Sequence, residues 1–141
     1  MKKASFIVFL QWWIFLFLGC AFAADFQAKV IHIADGDTIT VLNANNDQIK
    51  IRLNGIDCPE KAQAYGNNAK EFTKDLVALQ MVTIQSFDQD RYGSTTADVV
   101  LEDGRNLNQE LLKAGYAWWY YRYSDNRDLG LLELDAKLAH V

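Results

Sequence analysis

The chain has 141 residues, half of them apolar and 23% charged, with a single proline and two cysteines. That composition excludes an intrinsically disordered chain and leaves room for one compact core, so one domain is expected. With 14 Lys and Arg against 18 Asp and Glu, the formal charge is -4, which argues against broad adhesion to phosphate backbones because that needs a net positive surface.

Residues 1–23 read as an export signal. Lys2 and Lys3 supply positive charge, Phe6 to Leu18 is almost wholly apolar, and Ala21-Phe22-Ala23 offers small residues around a cleavage point. The apolar run falls short of the roughly 20 residues that span a bilayer, so a retained anchor is the weaker alternative and no stable membrane span is expected in the mature chain. Lipidation at Cys20 is a further alternative, since Leu18-Gly19-Cys20 partly fits a lipoprotein signal. The mature domain is then residues 24–141, secreted or periplasmic, or lipid-anchored through Cys20. Loss of the two lysines makes it more acidic. Cys58 is its only cysteine, so no internal disulfide forms. A monomer is the default expectation.

Lys29 to Ile33, Thr38 to Leu42 and Gln48 to Leu53 alternate and are rich in β-branched residues, which predicts three strands. Asn43 to Asp47 is a hairpin connection, because Asn and Asp tolerate the left-handed backbone of a tight turn. Ala69, Phe72, Leu76 and Leu79 recur at helical spacing over Asn68 to Leu79, with Asn67 or Asn68 as the cap. Met81 to Phe87 is a fourth strand, Asp88 to Gly93 a turn, and Thr96 to Leu101 a fifth strand. A short helix from Leu107 to Ala114 stops at Gly115. After the aromatic stretch Tyr116 to Tyr123, Ser124 or Asp125 caps a last helix running through Leu134. Five strands, a helix after the third and helices at the end fit a small antiparallel barrel of the OB type, mainly β with about three α-helices, and lack the alternation that a parallel sheet requires.

Two segments carry chemistry. Asp35-Gly36-Asp37-Thr38 opens a strand, and Arg52 to Glu60 reads Arg-Leu-Asn-Gly-Ile-Asp-Cys-Pro-Glu. Hard cations such as calcium take several oxygen ligands, so Asp37 and Asp57, at separate strand ends, are candidate ligands. Arg52 has a planar fork that can hold a phosphate in two hydrogen bonds. Glu60 is the candidate base for activating water. Turn residues plus a surface ion pair between Arg52 and Asp57 is the plainer account of the same residues, and it stays open on residue types alone. Cys58 has no histidine nearby in sequence to activate it as a nucleophile. His32, within a strand, and His140, at the chain end, read as structural or solvent-facing.

The chain resembles the staphylococcal nuclease (thermonuclease) family from about Lys29 to Leu138. The resemblance is carried by Ala34-Asp35-Gly36-Asp37-Thr38, by Arg52 to Glu60, by Asp90-Arg91-Tyr92-Gly93, and by Asn108 to Gly115. It implies an OB barrel, a Ca2+ cofactor and cleavage of phosphodiester bonds in DNA or RNA. By position, Asp37, Asp57 and the backbone carbonyl of Cys58 match calcium ligands, with Asp35 in a supporting place. Arg52 matches a phosphate-binding arginine, Glu60 the proposed general base, and Tyr92, Tyr121 and Tyr123 nucleotide contacts.

Two departures qualify this. Ser94 stands where the family places a second catalytic arginine, and a short neutral hydroxyl cannot deliver charge to the reacting phosphate. The expectation is a weakened nuclease, with Arg91, Arg105 or Arg122 as possible substitutes; the alternative is a nucleic-acid-binding OB module with little or no catalysis. Secreted bacterial relatives also continue past the last helix with a Gly-Leu-Trp segment and a Pro- and Trp-containing tail, whereas this sequence stops at Val141. Trp118-Trp119-Tyr120-Tyr121 is therefore expected to be less covered, although both tryptophans read first as core and barrel closure.

Overall fold

A computed structural model describes residues 25–89, 91–122 and 124–141. The proposed leader, Cys20, Asp90 and Tyr123 lie outside the described residues. Five strands close a barrel in the order β1 (Phe26–Asp35), β2 (Thr38–Leu42), β3 (Gln48–Leu53), β6 (Thr95–Val100) and β5 (Met81–Gln89). A second sheet of two short strands, β4 (Ile56–Asp57) and β7 (Trp118–Trp119), lies outside the barrel ladder. Three helices complete the fold: α1 (Gly66–Val77), α2 (Leu107–Lys113) and α3 (Arg127–Leu138).

Alternation along the strands builds the core. Ile39 and Val41, Ile51 and Leu53, Val82 and Ile84, and Ala97 and Val99 all point inward and are buried, which is the period-2 pattern of a sheet with one face covered. Each fully buried Ile or Leu contributes about 1.5–3 kcal/mol, so this interior outweighs any single surface ion pair. Four seams of the barrel are antiparallel as expected, but β3 and β6 run parallel, with Ile51 beside Thr95 and Leu53 beside Ala97. That seam joins strands far apart in sequence, so no local pattern announces it. Among the described residues, no helix is long and apolar enough to cross a membrane.

Both ends of α1 and of α3 differ from expectation. α1 is entered from Tyr65 in a left-handed conformation (φ 64) with no side-chain cap, not from Asn67 or Asn68. Leu79 lies past its end at φ 59 and is exposed; Ala69 is buried together with Thr73 and Val77, and Phe72 and Leu76 pack against the core as expected. α3 is capped by Asn126, whose side chain accepts from Asp128 N, and runs to Leu138 rather than Leu134. The hairpin at Asn43–Asp47 is as expected: Asn46 takes φ 61, and Asn43 Oδ1 accepts from Asn45 N and Asp47 N at 2.9 Å each. α2 starts at the Asn106 cap and ends before Gly115.

Candidate active site

The site begins with the tight connection between β1 and β2. Asp35 pairs with Thr38 across this turn, so Gly36 and Asp37 form its tip. A Cβ on Gly36 would lie 2.9 Å from Ala69 Cβ and 3.2 Å from Cys58 Sγ, so only glycine lets the turn pack this closely against α1. Thr73 Oγ1 donates to the carbonyl of Gly36 at 2.6 Å and ties the turn to the helix. In the β2–β3 ladder Thr38 faces Arg52, and Leu53 N donates to the carbonyl of Asp37 at 2.9 Å. Asp37 is thereby set beside the guanidinium.

Arg52 bridges two carboxylates. Its Nη1 lies 3.1 Å from Asp37 Oδ2 and its Nη2 donates to Asp57 Oδ1 at 2.9 Å. Asp37 also accepts from Cys58 N at 3.0 Å and from Thr38 Oγ1 at 3.1 Å. Asp37 is buried, whereas Arg52 and Asp57 are about one-third exposed, so the cluster opens to solvent on one side. The plain ion pair between Arg52 and Asp57 is real, and it is half of a larger arrangement.

Burial raises the Asp37 carboxyl above its ordinary value, against the opposing pull of Arg52, the Cys58 N–H and the Thr38 hydroxyl. For Arg52, burial works to lower the value, but Asp37 and Asp57 together outweigh it and the net shift is upward, so the guanidinium stays charged. The Cys58 thiol is pushed strongly up by burial and then by the charges of Asp37 and Asp57, with a smaller addition from Asp35. Burial therefore disfavours the thiolate that nucleophilic attack would need.

The remaining sequence-derived residues differ in exposure and in partners. Glu60 is exposed, three residues beyond Asp57 across Pro59. Its backbone is fixed by Glu60 N donating to Gln63 Oε1 at 2.7 Å and by Gln63 N donating to its carbonyl at 2.8 Å. Among the described residues its carboxylate takes no hydrogen bond or ion pair. Ser94 is buried one residue before β6; continued back from Thr96, which faces Arg52, the alternation of that strand puts position 94 on the outward, Arg52 side of the sheet. Arg105 is engaged elsewhere, with Asp103 at 2.8 Å and Glu110 at 3.9 Å, whereas Arg91 and Arg122 are exposed. Tyr92 and Tyr121 are exposed, and Tyr121 meets Trp119 edge-on at 6.3 Å between ring centroids.

Among the described residues, no three His, Cys, Asp or Glu side chains gather as a metal site. The fold instead offers two carboxylates, Asp37 and Asp57, followed by the main chain of Cys58. All are hard oxygen donors, a set that suits a calcium-type ion. A groove of about 690 Å³ runs from Arg52 along Asn54, Thr96, Asp98, Phe87 and Tyr120.

Sequence reasoning missed the residues that hold this site rather than form it. Thr73 sits on a helix face that apolar spacing alone assigns to other positions. Asn108, quoted only as part of a motif, is buried and accepts from Val99 N at 3.2 Å while its Nδ2 donates to Asn54 O at 2.9 Å and Asp98 Oδ1 at 3.0 Å. In the sequence Asn108 stands beside Gln109 and Glu110, so nothing marks it as the polar residue that is buried with Leu107, Leu111 and Leu112.

Comparison with known proteins places the chain among nucleases. The family described as staphylococcal nuclease homologue matches residues 50–140. An uncharacterized endonuclease of Escherichia coli O157:H7 is 39% identical over 124 residues, covering 88% of this chain and 80% of that protein. An uncharacterized endonuclease of Haemophilus influenzae is 45% identical over 96 residues, or 68% of this chain and 53% of its own length. A micrococcal nuclease of Shigella flexneri is 37% identical over 120 residues, covering 79% of this chain and 68% of that protein.

Proposed function

Because the chain belongs to the staphylococcal nuclease family, we propose that it hydrolyses phosphodiester bonds in DNA or RNA, with Ca2+ held by Asp37, Asp57 and the Cys58 carbonyl. The observation that carries this reading is the Arg52 guanidinium gripped by Asp37 and Asp57 at 3.1 and 2.9 Å. When bound, calcium supplies Lewis-acid polarisation of a phosphoryl oxygen.

Arg52 has five N–H donors in a rigid fork, so holding two carboxylates leaves donors for a phosphate, and the held geometry is ready before substrate arrives. Glu60, with its backbone fixed and its carboxylate unengaged, accepts a proton from the attacking water. The water oxygen bonds to phosphorus, one ester P–O bond breaks, and the departing oxygen takes up a proton from solvent. Asp35 supports the cluster, and Tyr92, Tyr121 and Tyr123 contact nucleotide.

Ser94 removes one cationic donor from the reacting phosphate, a loss of roughly a hundredfold in rate. Activity is therefore reduced. Ser94 also favours a second reading, a nucleic-acid-binding OB module without catalysis. A pure binding module has no use for the carboxylates of Asp37 and Asp57 gathered for calcium together with a base at Glu60. Digestion of single-stranded DNA and RNA with calcium, with chelator, and with Glu60→Gln separates the two: cleavage lost in both controls supports the nuclease, and binding without cleavage supports the module. The protein is exported and monomeric in this reading, with residues 1–23 removed as a signal and 24–141 forming the single domain. N-terminal sequencing of the mature protein checks the cleavage point, and an intact leader would refute it.

A further inference from the structure

Asp57 and Trp118 are direct partners in the β4–β7 ladder. Side chains of directly opposed antiparallel residues share a face, so the indole stands beside a carboxylate of the Arg52 cluster. Trp119, one residue on, pairs with buried Ile56 and turns to the covered side. Trp118 is 41% exposed, so it is not part of the core that sequence reasoning assigned to both tryptophans. It lines a groove of about 770 Å³ together with Pro59, Tyr65, Asn68, Tyr116 and His140.

Tyr65 makes this groove unusual. It is 72% exposed yet held at φ 64, a conformation that costs a bulky residue energy and persists only where the surroundings impose it. The surroundings are on the same loop as Glu60: Gln63 N donates to Glu60 O, Gly66 N to Gln63 O, and Ala69 N to Tyr65 O. Any Cβ on Gly66 would run into the carbonyl of Glu60, which fixes the chain on either side of Tyr65. One strained loop thus carries both the candidate base and an exposed ring.

Electrostatics decides between the two grooves that flank the centre. The one along Arg52 is lined by Asp88, Asp98 and Asp125, which repel a polyanion. No Asp or Glu side chain lines the groove of Trp118 and Tyr65. That groove presents two exposed aromatic rings of the kind on which single-stranded nucleic acid stacks, with the amides of Gln63 and Asn68 beside them.

We propose that this groove is a subsite for one unstacked nucleobase of a single strand, next to the phosphate at Arg52, with Trp118 and Tyr65 as its stacking faces. Its place along the strand rests on the nuclease reading; the stacking itself does not.

The test is binding of fluorescently labelled single-stranded DNA and RNA by anisotropy, in chelator, with an abasic residue moved along the oligonucleotide. Trp118→Ala is expected to weaken binding about tenfold, and Trp118→Phe to retain most of the affinity. Tyr65→Gly is expected to weaken binding to a similar degree while its melting temperature stays level or rises, because glycine relieves the left-handed strain. In the wild type one abasic position should reproduce the loss, and at that position Trp118→Ala should add nothing. Unchanged affinity in Trp118→Ala and Tyr65→Gly, no measurable binding by the wild type, or equal loss at every abasic position would overturn the subsite. Calcium-dependent cleavage with unmoved affinities leaves the nuclease reading intact and removes the subsite. Position-specific binding lost in Trp118→Ala, with no cleavage by the wild type, does the reverse.

Discussion

Asn108 Nδ2 donates to the main-chain carbonyl of Asn54, 54 residues away in sequence, at 2.9 Å. Through this bond and those to Val99 N and Asp98, α2 is locked to β6 and to the loop that leads from Arg52 to Asp57. Truncation would take these partners from the buried Val99 N–H and the half-buried Asn54 C=O. Asn108→Ala should therefore cost about 2–4 kcal/mol, more than a solvent-exposed bond would. Urea denaturation reads this directly, and a shift below about 0.5 kcal/mol would show that the network is not structural.

Gly36 makes the second prediction. Since a Cβ at position 36 would stand 2.9 Å from Ala69 Cβ, 3.2 Å from Cys58 Sγ and 3.1 Å from the Ala69 backbone, Gly36→Ala must push the turn off α1. A loss of about 1–3 kcal/mol is expected. Activity should fall further than stability does, because Asp37 moves with the turn and takes its contact to Arg52 with it. Cleavage measured well below the melting temperature separates the two effects, and normal turnover would argue against Asp37 as a site residue.

Ser94→Arg should raise turnover by roughly a hundredfold, with a smaller effect on KM, because the gain is a cation aimed at charge that grows in the transition state. The register of β6 with β3 gives this expectation its geometry, since position 94 continues the outward face on which Arg52 lies. A folded Ser94→Arg protein with unchanged kcat would show that this position does not face the reacting phosphate.

A pH effect follows from Asp98. Burial raises its carboxyl above the ordinary 3.8, with hydrogen bonds from Asn106 and Asn54 opposing. The native state then binds this proton more tightly than the unfolded chain does, so the stabilisation is complete below 3.8 and is lost as pH rises through the raised native value. Asp98→Asn cannot ionise and escapes that loss. Its melting temperature relative to wild type should therefore improve on going from about pH 4 to about pH 7. A difference that stays flat across the series would contradict the assignment.

Much of this molecule can be read from short stretches of chain. Strict alternation in 38–42 and 48–53 dictates two strands joined by an asparagine-rich turn, because side-chain direction repeats every second residue whatever the strand later pairs with. The Asp37, Arg52 and Asp57 cluster was legible for a related reason: Arg52 and Asp57 lie five residues apart across one short turn, and Asp37 immediately precedes the strand that pairs beside Arg52. Other features needed the third dimension. The parallel β3–β6 seam, Asn108 bridging to Asn54, and Trp118 set against Asp57 each join segments far apart in sequence, so their register depends on how the whole barrel closes over its core. Tyr65 shows the limit most plainly. Intrinsic preference puts an asparagine at the start of α1, but the approach of Gly66 to the Glu60 carbonyl holds the tyrosine in that place, because the energy of packing the loop exceeds the small local cost of a left-handed residue.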